Sequence, residues 1–309
     1  MRKKNIRLII GIILILVMTA LFALLPKIYN NNFLLFNIML YIALAEGLNL
    51  IYGFTGYLPF GYVGFFGIGA YSASLLILLL HVSVVPAILL GGVAASIVGI
   101  ILTPLLRLSG AYFAIANLAA SQAIYYIISN PHLENITQGP YGIMLSSVYD
   151  ATASYNAMLI VMFFAFMLVL FFRQSRFGLS LMAIREDSIT ASVAGVNVVL
   201  ARTIAWLLSA FVAGLCGGVF AWYTSVFYPE TVFSLNISIF AIVFVLFGGA
   251  ATLLGPLIGT VILYGMYNFI GISTPQYFQL IYGLLIVVLI MFLPNGVISL
   301  FKKVKDYVP

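Results

Sequence analysis

Few side chains in this sequence could do chemistry, and they fall in three places. The first is a break rich in glycine and aromatic residues, YGFTGYLPFGYVGFFGIGAY, from Tyr52 to Tyr71, with Glu46 and Asn49 just ahead of it. Glu46 is a carboxylate in an apolar stretch (ALAEGLNL), where such a group could carry a proton or a coupling cation. Asn49 both donates and accepts, which suits it to backbone groups freed by the break. The second place is Gly248-Gly249-Ala-Ala-Thr-Leu-Leu-Gly255-Pro256, followed by Gly259. The third is RQSRFGLSLMAIREDSITASVAGVNVVLAR, residues 173–202, which holds six of the 20 charged residues of the chain.

Other chemistries are poorly supplied. The chain lacks Gly-x-x-x-x-Gly-Lys-Ser/Thr, so it cannot cradle ATP phosphates in a Walker loop. Cys216 is alone, which rules out a disulfide or a thiolate metal site within one chain. His81 and His132 have no acidic neighbours in sequence and read as loop histidines. Neither an enzyme nor a metal protein is expected. The net charge of +6 comes from Lys and Arg at loops and ends, the pattern of a topology signal, so nucleic acid is not the expected partner.

The elements that position these residues must lie in lipid. Hydrophobic residues make up 64% of the chain, charged residues 6%, and the mean hydropathy is +1.20. Soluble domains carry about 25% charged residues, so the bilayer is the solvent. The expected fold class is all-α, a single polytopic membrane domain over residues 1–309. Ten spans of about 20 residues or somewhat fewer can be drawn: Leu8–Leu25, Phe33–Leu50, Tyr62–Leu80, Ala87–Leu102, Leu108–Ile128, Tyr155–Phe172, Thr203–Trp222, Ser234–Gly248, Leu257–Ile272 and Phe278–Leu293. The first is longer than a secretory h-region and has no clear cleavage motif before Lys27, so it reads as an uncleaved span. With both termini in the cytoplasm, 12 of the 13 basic residues fall inside, and Lys27 is the exception. The outer loops then receive Glu134, Asp150 and Glu230. The longest of them, Ser129 to Ser154, contains an Asn135-Ile-Thr137 sequon too short to carry weight.

In lipid, broken backbone is tolerated only where protein or a water-filled cavity satisfies it. Six glycines and eight aromatics surround Pro59 between Tyr52 and Tyr71, so this stretch is expected to interrupt a span facing the protein interior. Asn49, Gly53, Thr55, Gly56, Pro59, Gly61, Phe65, Gly248 and Gly249 are the candidate lining of a translocation pathway. Close helix packing explains Gly53, Gly61 and Gly69 equally well. Glu46 lies near the end of its span, where a charge costs less than at mid-bilayer.

Residues 173–202 predict two short helices. Phe177, Leu181 and Ile184 form one apolar stripe at i, i+4 and i+7. Asp187 or Ser188 can cap a second helix, with Ile189 and Val193 along its apolar edge and Gly195 as its stop. Such an element could dock a partner protein or rest on lipid headgroups.

Three blocks resemble the LivM-type permease subunit of branched-chain amino acid ABC importers. They are GLNLIYGFTGYLPFGYVGFFGIGAY (47–71), TQGPYGI (137–143), and the run from SRFGLSLMAIREDSITASVAGVNV (175–198) through LSAFVAGLCGGVFA to the glycines ending at Gly259. The resemblance implies a type II importer architecture. It also implies a second, LivH-like permease, two cytoplasmic ATPases that bind ATP and Mg, and an extracytoplasmic solute-binding protein. It places the chain in a bacterial cytoplasmic membrane. Residues Ala183 to Gly195 match the coupling-helix region, so Arg185, Glu186, Asp187, Ile189, Val193 and Gly195 become the expected ATPase contact. The chain departs from the family pattern at Glu46, where a small or apolar residue is expected, and at Pro59, where Ser is usual. Related permeases carry urea or short amides, and a stand-alone ion-coupled transporter using Glu46 is the rival from another class.

Overall fold

The computed structural model describes residues 2–273 and, beyond them, positions 280, 283, 284, 287 and 296–298. Its helices are α1 (Arg2–Leu24), α2 (Asn32–Leu48), α3 (Val63–Leu80), α4 (Val84–Ile101), α5 (Gly110–Ile128), the single turn α6 (Glu134–Thr137), α7 (Ala151–Gln174), α8 (Arg176–Glu186), α9 (Ser188–Val193), α10 (Val198–Thr224), the single turn α11 (Pro229–Val232), α12 (Leu235–Gly248) and α13 (Gly255–Ser273). Among the described residues, eight helical stretches are long and apolar enough to cross a membrane, and they coincide with the first eight expected spans. Helix α13 covers the ninth. The tenth, Phe278–Leu293, lies outside the described residues apart from isolated positions.

Helices α2, α3 and α10 form the centre; α1 and α5 are mostly exposed along their lengths. Without a hydrophobic driving force between helices in lipid, close packing and interhelical hydrogen bonds must hold them. Small residues supply the close approach. A Cβ on Gly69 of α3 would sit 2.0 Å from the Gly214 carbonyl oxygen of α10, and one on Gly217 would sit 1.9 Å from the Phe66 carbonyl oxygen. Helix α4 joins through Gly92, whose Cα would lie 2.9 Å from a Cβ on Gly214. Polar side chains complete the contacts. Trp206 Nε1–H donates to the Gly99 carbonyl at 3.0 Å, Ser96 Oγ–H to the Leu207 carbonyl at 3.1 Å, and the Tyr62 hydroxyl to the Ser209 carbonyl at 3.1 Å.

The long loop between α5 and α7 is stitched to the end of α10. A two-residue ladder pairs β1 (Ile143–Met144) antiparallel to β2 (Val226–Phe227), with Ile143 opposite Phe227. Leu145 N–H donates to the Ser225 carbonyl at 2.6 Å, and Trp222 Nε1–H to the Val148 carbonyl at 2.7 Å.

Candidate functional site

Helix α2 does not stop at Leu48. It widens into a five-residue π turn, Asn49–Gly53, stays helical through Phe54 and Thr55, and only then leaves helical geometry until α3 begins at Val63. Gly56 takes φ +78°, a conformation glycine adopts without steric cost. The freed donors find side chains. Gly61 N–H donates to Asn117 Oδ1 at 2.7 Å, and Val63 N–H to Ser238 Oγ at 2.8 Å. Thr55 Oγ1–H turns back to the Ile51 carbonyl at 2.6 Å. Asn117 and Ser238 were not singled out in the sequence, although a polar residue inside an apolar helix (ANLAAS, LNISIF) is a usable signal.

The second break is a tight turn between α12 and α13. Gly249 has φ +123° and Ala251 φ +59°. Thr252 closes the turn: its hydroxyl donates to the Gly249 carbonyl at 2.7 Å and accepts from Gly255 N–H at 3.0 Å.

The two breaks meet at Asn49. Its side chain is fully buried, and Oδ1 accepts from Ala251 N–H at 2.8 Å while Nδ2–H donates to the Thr252 carbonyl at 3.0 Å. Nδ2 also lies 3.4 Å from Glu46 Oε2. The backbone groups Asn49 satisfies are therefore those of the distant break. Glu46 is fully buried within the protein, and its Oε1 has no hydrogen-bond partner.

The charged segment docks on the first break. Leu181 and Ile184 of α8 are buried, and Phe177 packs edge-on against Phe172 at 5.2 Å, which in turn meets Phe54 at 5.4 Å. Arg185 is exposed but reaches back to the break, with Nη1–H donating to the Gly53 carbonyl at 2.6 Å. Arg202, near the start of α10, lies over the Tyr57 ring at 4.6 Å, a cation–π contact to the same stretch. A cavity of ≈ 390 Å³ opens here, lined by Tyr52, Thr55, Gly56, Tyr57, Phe113 and Arg185.

Helix α9 projects from this base as a knob with both ends closed. Asp187 Oδ1 accepts from Ile189 N–H at 2.9 Å and Oδ2 from Thr190 N–H at 3.3 Å, and Thr190 Oγ1–H also donates to Oδ2. At the other end, Val196 N–H donates to the Ala191 carbonyl at 3.1 Å and Gly195 N–H to the Ser192 carbonyl at 3.0 Å, with Gly195 at φ +88°. These are the two bonds of a Schellman cap. Ala191 faces inward, whereas Ile189 is 74% exposed and Val193 86% exposed. Glu186 is exposed beside them.

The Thr190 hydroxyl, then the Ile189 N–H, hold the Asp187 carboxyl below its ordinary range. A carboxylate with a lowered folded-state pKa stabilises its helix above the unfolded value and loses that contribution as pH falls through the folded one. Asp187→Ala is therefore expected to raise amide exchange in residues 188–194 at neutral pH. Acidification below the usual aspartate range should produce the same change in the unaltered chain. Equal protection in both chains at neutral pH would show that the cap does not hold α9.

The candidate pathway residues separate into groups. Asn49 and Gly53 meet the Gly249–Thr252 turn, and Thr55 and Gly56 line the open cavity. Gly61 and Phe65 instead serve internal packing: a Cβ on Gly61 would lie 2.1 Å from the Asn117 carbonyl, and Phe65 stacks edge-on to Trp206 at 4.9 Å. Pro59, between Gly56 and Gly61 in sequence, is buried. Among the described residues, no three His, Cys, Asp or Glu side chains converge as a metal site would need.

A family model described as "Branched-chain amino acid transport system / permease component" matches residues 30–290. The chain is 27% identical over 295 residues to the Escherichia coli high-affinity branched-chain amino acid transport system permease protein LivM, covering 85% of this chain and 68% of that protein. The Salmonella typhimurium LivM is 26% identical over 294 residues with the same coverage. A Methanocaldococcus jannaschii protein, a probable branched-chain amino acid transport permease protein LivM, is 26% identical over 233 residues, 69% of this chain and 67% of its own length. No solved structure matches the chain.

Proposed function

We propose, from the premise that this chain belongs to the LivM-type family of branched-chain amino acid transport permeases, that it is the transmembrane permease subunit of an ATP-driven importer for those amino acids. It pairs with a second, LivH-like permease to enclose the pathway. Two cytoplasmic ATPases bind ATP and Mg and dock on the face that Glu186, Asp187, Ile189 and Val193 present within residues 185–195, and an extracytoplasmic binding protein delivers the solute. The chain sits in the bacterial cytoplasmic membrane with both termini inside, and is not itself an enzyme.

The observation that carries the reading is α9. A six-residue helix would not persist alone, yet this one is capped at both ends and holds Ile189 and Val193 out into solvent. A preformed apolar knob flanked by Glu186 and Asp187 suits a groove on a partner. Its base is bonded to the glycine-aromatic break, so a push on the knob reaches the place where the spans are interrupted. The branched-chain specificity rests on the relatives. The open cavity beside the break fits a role for Thr55 and Gly56 along the path.

The test is uptake by the purified assembly. With partner permease, ATPases and binding protein in vesicles, leucine should accumulate only when ATP is supplied on the ATPase side. Urea accumulation in place of leucine would keep the family and change the solute. Uptake driven by a proton or sodium gradient without ATPases, and lost in Glu46→Gln, would overturn the reading in favour of an ion-coupled transporter.

A further inference from the structure

We infer that Asn49 and Arg185 form a backbone clasp joining the two chain breaks to the ATPase-facing segment, and that both are positioning residues for transport. The inference deepens the reading above and rests on it.

Both residues reach across long sequence distances to main-chain atoms. Asn49 spends both ends of its amide on the α12–α13 turn, 202 and 203 residues away, with Oδ1 on Ala251 N–H at 2.8 Å and Nδ2 on the Thr252 carbonyl at 3.0 Å. Arg185 spends a guanidinium N–H on the Gly53 carbonyl, 132 residues away, at 2.6 Å. Asn49 and Gly53 are the first and last residues of one π turn. Gly53 is also pressed against the clasp: a Cβ there would lie 1.9 Å from Asn49 Oδ1 and 2.7 Å from Ala251 N. Glu46 Oε2, at 3.4 Å from Nδ2, fixes which way the amide faces. Three segments of the chain, residues 46–53, the α12–α13 turn and α8, thus converge on one π turn.

The parts joined are ones that can change shape. A π turn inside an α-helix is a rare, strained geometry often found at functional sites. Beyond the clasp, Gly249 and Ala251 both have positive φ. Buried backbone groups stripped of a partner are costly, so a shift of α8 that carries Arg185 moves Gly53 with it, and the shared turn carries Asn49, Ala251 and Thr252. In this arrangement the exposed Arg185 spends its guanidinium on the permease's own backbone, leaving Ile189, Val193 and the acidic pair as the surface offered to a partner.

The experiment uses the complete importer and the isolated chain in parallel. In the reconstituted importer, Arg185→Ala should lower leucine taken up per ATP hydrolysed by about tenfold, the size of one lost hydrogen bond, and Asn49→Ala, which removes two, by at least as much. Arg185→Lys, which keeps one donor, should recover part of that loss. An unchanged uptake-to-hydrolysis ratio in both alanine variants would reduce the clasp to a structural staple. Loss of ATPase co-purification in Arg185→Ala would place Arg185 at the partner contact instead. In the isolated chain, amide exchange of the segment containing Ala251 should quicken about tenfold in Arg185→Ala as well as in Asn49→Ala. Protection of Ala251 unaffected by Arg185→Ala would overturn the connection even if the chain proves to be another kind of transporter. Absence of ATP-driven uptake in the unaltered importer would sink the importer reading alone. Asn49→Leu, nearly isosteric and without either polar atom, replaces Asn49→Ala if the latter does not fold.

Discussion

Ile189→Asp combined with Val193→Asp should leave a folded, membrane-inserted chain that no longer co-purifies with ATPases and no longer supports ATP-driven uptake. The two side chains are 74% and 86% exposed, so the chain's own core does not depend on them. Substitutions at such positions usually change stability by no more than about 0.5 kcal/mol. In a partner's groove the account differs. Burying an aliphatic side chain of this size contributes about 1.5–3 kcal/mol, and two of them suffice to decide an association. Introducing carboxylates adds the cost of desolvating charge. Co-purification and uptake at the level of the unaltered chain would assign α9 to the lipid surface. Binding to anionic vesicles would then be the property that the aspartates weaken.

Gly217→Leu should prevent recovery of folded protein altogether. The new Cβ would fall 1.9 Å from the Phe66 carbonyl oxygen and 2.9 Å from the Ala70 nitrogen, and both are backbone atoms that cannot rotate away. Helices α3 and α10 would have to separate, and the contacts around Gly69 and Gly214 would open with them. Overpacking commonly costs about 1–3 kcal/mol even where side chains can adjust, and here none can. Size-exclusion chromatography in mild detergent should show aggregate in place of a symmetric peak. Gly265→Leu provides the matched control, because nothing lies within 4 Å of its Cβ position. A normal elution profile for Gly217→Leu would mean that α3 and α10 are not in this contact.

The first eight spans were legible because a bilayer leaves the backbone little choice: about 20 apolar residues in sequence become a helix. The capped foot was legible too. Phe177, Leu181 and Ile184 advertise a stripe, and Asp187 and Gly195 are the residue types that begin and end a helix. The union of the two breaks was hidden. Asn49 meets Ala251 across 202 residues, and a single long-range hydrogen bond leaves no periodic trace. The partner of Arg185 was hidden for a related reason: nothing in the sequence beside Glu186 and Asp187 points to the Gly53 carbonyl 132 residues away. Phe65 was drawn into the candidate pathway by its glycine neighbours, whereas its ring is a core contact of Trp206. Conversely, the partners of Gly69 could have been suspected from the small-residue runs GLCGG and GGVAAS.

The stitched loop has a mechanical corollary. Helix α10 holds 27 residues, roughly 40 Å of continuous rod at 1.5 Å per residue. The β1–β2 ladder grips one end, and the other emerges directly after the cap of α9. A rod joined to the loop at one extremity and to the knob at the other, and crossed between them by the glycine contacts with α3 and α4, has the form of a lever with its fulcrum at those contacts. Tilting it would swing the loop and the knob in opposite directions.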